Sequence, residues 1–322
     1  MNPSVNHHFK HTVTWLVLIA AIVVAAVLSS LVGSAHLSWH ELWSSTILWQ
    51  LRMPRIVLSF VVGSVLAICG ATYQSLFRNP LTDPYLLGVS SGASLGAAIA
   101  IVCGLELYLY GVGLCAFVAA IITVIIICGI AARRGRIHTT TLLLAGVSIT
   151  LLSCAVVSFL MVMNNDKLDR IVFWTMGSFS TASWLDVLFV APPAIVGSIV
   201  LCFFARQLNM LLLGSESAMS MGVNVERTKK ILLVITTIMV AFAVSVSGVI
   251  GFVGLIVPHA VRLLIGTDNR RLLPASALIG GLFLLICDTL ARTLFQPSEL
   301  PVGSLTALIG APIFIYLICR KS

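Results

Sequence analysis

The sequence predicts an all-α integral membrane protein, a bundle of ten transmembrane helices with both termini in the cytoplasm. Three observations carry that prediction. Of 322 residues 9% are charged and 59% hydrophobic, with a mean hydropathy of +1.09; a soluble domain carries about 25% charged residues. Apolar runs recur along the whole chain at the length that a bilayer core of about 30 Å demands of a helix. The runs do not alternate polar and apolar residues, which excludes an outer-membrane β-barrel.

In chain order the runs lie near 13–33, 56–77, 86–104, 111–132, 139–163, 184–205, 229–250, 251–266, 273–296 and 302–319. The first follows Lys10 as a signal peptide would, but it exceeds a signal h-region of about 7–15 residues and reads as a retained anchor. The run 251–266 is short and is followed by Thr267-Asp268-Asn269-Arg270-Arg271, so its crossing sets the sidedness of the rest. If it crosses and the N-terminus is cytoplasmic, 14 of 19 basic residues lie inside, leaving Arg52, Arg55, Lys167, Arg170 and Arg292 outside. If it does not cross, the split is 11 against 8. The positive-inside bias favours ten spans and reads the net charge of +8 as topology, not as a nucleic-acid surface.

No hydrophilic linker is long enough to separate a second domain, so residues 1–322 form a single transmembrane domain with a cytoplasmic loop at about 207–228. Gly88, Gly92 and Gly96 repeat at four-residue spacing, and Gly248, Gly251 and Gly254 form a second ladder; both read as close helix packing. The eight cysteines form no CxxC pair, so neither a disulfide framework nor a metal site is indicated. No GxxxxGK[ST] phosphate loop or HExxH motif occurs. His7, His8 and His11 cluster near the N-terminus, and His259 reads as a structural histidine. Nothing in the composition or motifs looks like covalent or hydrolytic catalysis.

Two regions carry function. In the loop Arg206 to Thr228, Ser215 as N-cap and Gly222 as C′ residue would enclose a short helix, Glu216 to Met221. Ala218, Met219 and Met221 would give it an apolar face for a cytoplasmic partner. On the opposite side, Arg52, Arg55 and Arg292 oppose the charge bias. They read either as a positive patch that captures carboxylates of an external partner or as local features: headgroup snorkelling for Arg52 and Arg55, and a pair of Arg292 with Asp288 one turn back.

Several blocks in order resemble one family: Arg52-Met53-Pro54-Arg55; Gly70 through Asn79-Pro80-Leu81-Thr82-Asp83-Pro84; Leu87-Gly88-Val89-Ser90-Ser91-Gly92-Ala93; Leu213-Gly214 with Ala218 and Met221-Gly222; Gly251-Phe252-Val253-Gly254-Leu255-Ile256-Val257-Pro258-His259; and Glu299-Leu300-Pro301-Val302-Gly303 with Gly310-Ala311-Pro312. They resemble the FecCD-type permeases, the membrane subunits of ABC importers for ferric siderophores, haem and vitamin B12.

The resemblance implies a homodimer in the bacterial inner membrane, two cytoplasmic ATPase subunits and an extracytoplasmic substrate-binding protein. It implies docking of that protein at Arg52, Arg55 and Arg292, and ATPase coupling at Gly214, Ser215, Glu216, Ala218, Met221 and Gly222. Trp174 to Ser180 resembles the family's gate, giving Gly177, Ser178, Phe179 and Ser180 as pathway residues. This chain would bind no cofactor or metal; ATP and Mg would sit on the ATPase. Ferric siderophore is the favoured cargo, with haem and cobalamin as alternatives and molybdate as a minor one. The rival class is an ion-coupled secondary transporter, for which Asp288 would be the committed carboxylate.

Overall fold

The computed structural model describes residues 3–32, 46–108, 110–133, 136–137, 139–295 and 298–319, with side chains from Trp15 onward except at 133, 136, 137, 317 and 318. Arg134, Arg320 and Lys321 lie outside the described residues, as do the side chains of Lys10, His7, His8 and His11. Among the described residues the regular elements are helices apart from one antiparallel pair of two-residue strands, β1 Ala132–Arg133 and β2 Arg136–Ile137. The helices are α1 Pro3–Leu31, α2 Met53–Leu76, α3 Val89–Val102, α4 Gly111–Ala131, α5 Thr139–Met163, α6 Leu168–Met176, α7 Trp184–Phe203, α8 Ala205–Leu212, α9 Ser215–Ser220, α10 Val225–Ser247, α11 Val253–Ile265, α12 Asn269–Ala291 and α13 Val302–Cys319. Among the described residues, six helices are long and apolar enough to cross a membrane, and four apolar segments in α1, α3, α11 and α13 are shorter.

The bundle is built around α2, which a π-helical turn, Ile47–Arg52, extends at its start. In the apolar stretch of Ile47–Leu76, 78% of residues are buried, against 28% in α5 and in α7. The outer helices turn large apolar side chains outward, among them Leu151, Leu152, Phe159 and Leu188, as a hydrocarbon surrounding permits. Inside, backbones approach through glycine. A Cβ on Gly63 would strike the Gly280 carbonyl of α12, and one on Gly70 would strike the Gly254 carbonyl of α11. The ladder Gly88, Gly92 and Gly96 packs on Thr123, Ala119 and Cys115 of α4, the small-residue contact expected where lipid supplies no hydrophobic drive.

The second ladder does not exist as a helix face. α10 stops at Ser247 because Gly248 takes a positive φ of 67°, and residues 248–252 run without helix to α11. Gly248 packs on Trp174 and Gly177, while Gly254 packs on Leu66 and Pro84. Likewise the run 86–104 is helical only from Val89, because Pro84–Leu87 form a 3-10 turn ending in left-handed Gly88. These two irregular segments meet: the Ile250 N–H donates to the Tyr85 hydroxyl at 3.3 Å. Pro258 removes the donor that would pair with the Gly254 carbonyl. Gln74 Nε2 serves that gap, donating to the neighbouring Leu255 carbonyl at 3.1 Å and reaching Gly254 at 3.5 Å. Irregular backbone at membrane depth is tolerated when protein groups satisfy it in this way.

Candidate functional site

Arg52, Arg55 and Arg292 come together at one end of the bundle, as the sequence predicts, but not as an open patch. Their exposures are 6%, 8% and 7%. Arg55 enters α2 one turn after the π-helical segment and meets α12 edge-on. Its Nε donates to Asp288 Oδ2 at 3.0 Å and its Nη2 to Oδ1 at 2.9 Å, while Nη1 reaches Glu299 Oε2 at 2.9 Å. The expected local pair of Arg292 with Asp288 is therefore a correction: Asp288 belongs to Arg55. Arg292 turns to α1, where Nη2 donates to the carbonyl and hydroxyl of Ser29. Arg52 Nη1 donates to the Ser30 carbonyl at 2.7 Å.

The last turn of α1 has no basic residue of its own. Its C-terminal carbonyls carry partial negative charge and lack intrahelical donors, so cations there are stabilising. Arg52 and Arg292 supply them from elsewhere in the chain. Lys167 does the same for α3, donating to the carbonyls of Ile101 at 3.1 Å and Val102 at 3.0 Å. Arg170 pairs with Glu106. All five bases that the ten-span count leaves outside thus have partners within the chain. Glu299, Lys167 and Ser29 were not singled out from the sequence, because their partners lie 65 to 263 residues away.

On the same end, the proposed gate residues form a tight corner. Gly177 ends α6 at φ 71° against the Val249 carbonyl, and the Ser178 N–H donates to the Ser247 carbonyl at 2.9 Å. Phe179 is buried at 1%, and Ser180 is exposed with its N–H on Ser178 Oγ. A Cβ on Gly303 of α13 would strike the carbonyls of Met176 and Val249, so the ends of α6, α10 and α13 converge here through Gly177, Gly248 and Gly303.

At the opposite end lies the loop helix α9, displaced by one residue from the expected limits. Gly214 is its N-cap and Ser215 its first residue; no side chain caps it, so Ser215 is not the N-cap. Its C-terminus is as expected: Gly222 at φ 85° donates to the Met219 carbonyl at 2.9 Å and Val223 to Ala218 at 3.0 Å, a Schellman motif. Ala218 is fully buried and so faces inward, a second correction. The outward apolar side chains are Leu213, Met219 and Met221, and Glu216 is exposed beside them.

α9 is tied into the bundle through its neighbours. Asn209 of α8 donates to Asp268 at 2.6 Å and accepts from both nitrogens of Asn269 at 2.9 Å, and Ser75 of α2 donates to Asn269 at 2.8 Å. The Asn209 hydrogen bond, with the Arg270 N–H, holds the Asp268 carboxyl below the usual carboxylate range. Arg78, at a strained φ of 51°, brings its guanidinium beside Gly214. In the same α2–α3 connection, burial pushes Asp83 up to about 6, against the opposing effect of the Tyr85 N–H that it accepts.

The residue pattern and this fold have known counterparts. The sequence matches the profile of the FecCD transport family over residues 13–320. It is 48% identical over 275 residues to the cobalamin import system permease protein BtuC of Halobacterium salinarum, covering 85% of this chain and 74% of that one. It is 44% identical over 319 residues to the hemin transport system permease protein HmuU of Yersinia pestis, covering 94% of each. Among solved structures, a metal-chelate type ABC transporter in an inward-facing conformation superposes with a TM-score of 0.87 at 34% identity, covering 95% of this chain and 98% of that one.

Proposed function

Because this chain belongs to the FecCD transport family and is the permease of an ABC importer, we propose that it moves a large metal chelate into the cytoplasm by alternating access at a homodimer interface. The six long helices and four shorter apolar ones support this reading: ten spans with both termini cytoplasmic, in the bacterial inner membrane. ATP and Mg bind on two separate cytoplasmic ATPase chains, and this chain holds no cofactor. The observation that carries the reading is α9: a short helix closed by a Schellman motif, presenting Leu213, Met219 and Met221 outward on the loop side. Those side chains seat in the ATPase, and the Asn209–Asp268–Asn269–Ser75 hydrogen bonds pass its displacement to α2 and α12.

At the other face an extracytoplasmic binding protein docks over Arg52, Arg55 and Arg292. Three arginines against Asp288 and Glu299 leave that face positive, and Glu299, with its side chain 42% exposed, is the contact an incoming carboxylate would replace. The corner Gly177-Ser178-Phe179-Ser180 gates the path beneath. Ferric siderophore, favoured from the sequence resemblance, belongs to the chelate class; the names of the two relatives weigh toward a metal tetrapyrrole, cobalamin or haem. Asp288 is clamped by Arg55, which disfavours an ion-coupled secondary transporter. The test is uptake by proteoliposomes holding the permease with its ATPase and binding protein. Accumulation of cyanocobalamin or haemin that requires ATP is the expected result. Accumulation driven by an ion gradient without ATP would overturn it.

A further inference from the structure

Between α2, α7 and α12 runs a groove of about 510 Å³, within the range of about 300–1,000 Å³ usual for ligand sites. Its walls are Ile68 of α2, Ile199, Cys202 and Phe203 of α7, and Pro274 and Ala277 of α12, and they are almost wholly apolar. Phe203 is 76% exposed and Ile199 52%, so the groove opens onto the outer apolar surface of the bundle. A helix, about 10–12 Å across with its side chains, does not fit such a volume; an extended hydrocarbon chain does.

Two arginines stand about one helical turn beyond the residues at one end of the groove. Arg270 stands four residues before Pro274 and seven before Ala277, on the same face of α12. Arg206 stands four residues after Cys202, where α8 begins, and both arginines are exposed. The Asn209 bonds to Asp268 and Asn269 hold these two helix ends together. Asp268 lies beside Arg270, and its Oδ1 accepts from Asn209 and from the Arg270 backbone.

We infer that this groove holds an acyl chain of an anionic phospholipid whose headgroup phosphate lies at Arg206 and Arg270. Basic clusters between helices at the cytoplasmic surface are suited to such headgroups. The lipid would wedge between α7 and α12 beside the hydrogen bonds that fasten α8.

The test is native mass spectrometry of the intact complex released from nanodiscs of equal phosphatidylglycerol and phosphatidylcholine with matched chains. Phosphatidylglycerol should be retained in preference, and Arg270→Gln or Arg206→Gln should each cut that retention about fivefold, the worth of one basic side chain at an anionic headgroup. Ala277→Phe, which fills the groove and leaves the arginines, should release the bound lipid. Both arginines are exposed, so their variants test the inference even if Ala277→Phe misfolds. Equal retention of the two lipids, or phosphatidylglycerol retention unmoved by the arginine variants, would overturn it. So would oxidative cross-linking of two copies through Cys202, which would make the occupant a second chain.

Discussion

Arg55 and Asp288 lie 233 residues apart and close on each other through a two-point hydrogen-bonded pair, with side-chain exposures of 9% and 1%. The pair joins the start of α2 to the end of α12, the two helices that pack most intimately through Gly63 and Gly280. Through Glu299 it also fixes the approach to α13. One guanidinium thus locks three elements at the face where the proposed partner docks.

A buried pair of this kind is costly to break and cheap to replace whole. Arg55→Met and Asp288→Leu should each lower stability by about 3–5 kcal/mol, whereas the two together should lose much less than the sum. Melting of the detergent-solubilised variants in a double-mutant cycle measures this. Additive losses would show that the two side chains do not interact.

Docking should respond to Glu299 separately from the fold. Glu299→Gln leaves the Arg55–Asp288 pair in place and frees Nη1 of competing charge, so association with the binding protein should quicken, most at low salt. Charge reversal at Arg52, Arg55 and Arg292 should weaken it, but the first and last also cap α1 and the second breaks the pair. Glu299→Gln is therefore the cleaner variant, read by association rates on immobilised permease. A slower rate would point away from docking at this face.

Gly222 closes α9 in a left-handed conformation with its N–H bonded to Met219. Proline lacks that N–H and cannot adopt that φ, so Gly222→Pro should disengage the helix and separate ATP hydrolysis from transport. Gly222→Asn, which tolerates the left-handed region, should stay near wild type. Coupling ratios of ATP consumed to cargo moved distinguish the two; equal ratios would remove α9 from the coupling path.

Asp83 gives a pH dependence with a definite sign. Its folded value of about 6 lies above the ordinary 3.8, so the folded state retains a proton that the unfolded chain releases. The associated stability is complete below about 4 and is lost as pH rises through about 6. Asp83→Asn keeps an acceptor for the Tyr85 N–H and abolishes the titration. Its melting temperature should gain on wild type between pH 4 and pH 7, and parallel curves would contradict the assignment.

Much of the helix pattern was legible in the sequence because span length is a local property. The apolar runs map onto the long and short helices, and Gly222 marks the end of α9. Helix ends at 247 and 89 were missed because glycine and proline geometry, not hydropathy, sets them: Gly248 and Pro84 interrupt runs that stay apolar. The arginines were grouped correctly but read as open. Sequence spacing offers Asp288 its neighbour Arg292, whereas the fold brings Arg55 to it and gives Arg292 the frayed carbonyls of α1. Ala218 was turned outward because a six-residue helix has too little periodicity to fix its buried face.

The central claim is that this chain works only as the membrane subunit of an ATP-driven assembly. Purifying the tagged chain from its native membrane in mild detergent, and quantifying what accompanies it by mass spectrometry, tests that directly. An ATPase chain recovered in equal amount with wild-type permease, and lost with Gly222→Pro, is the predicted result. The chain recovered alone in high yield, still able to concentrate cargo on an ion gradient, would contradict the account.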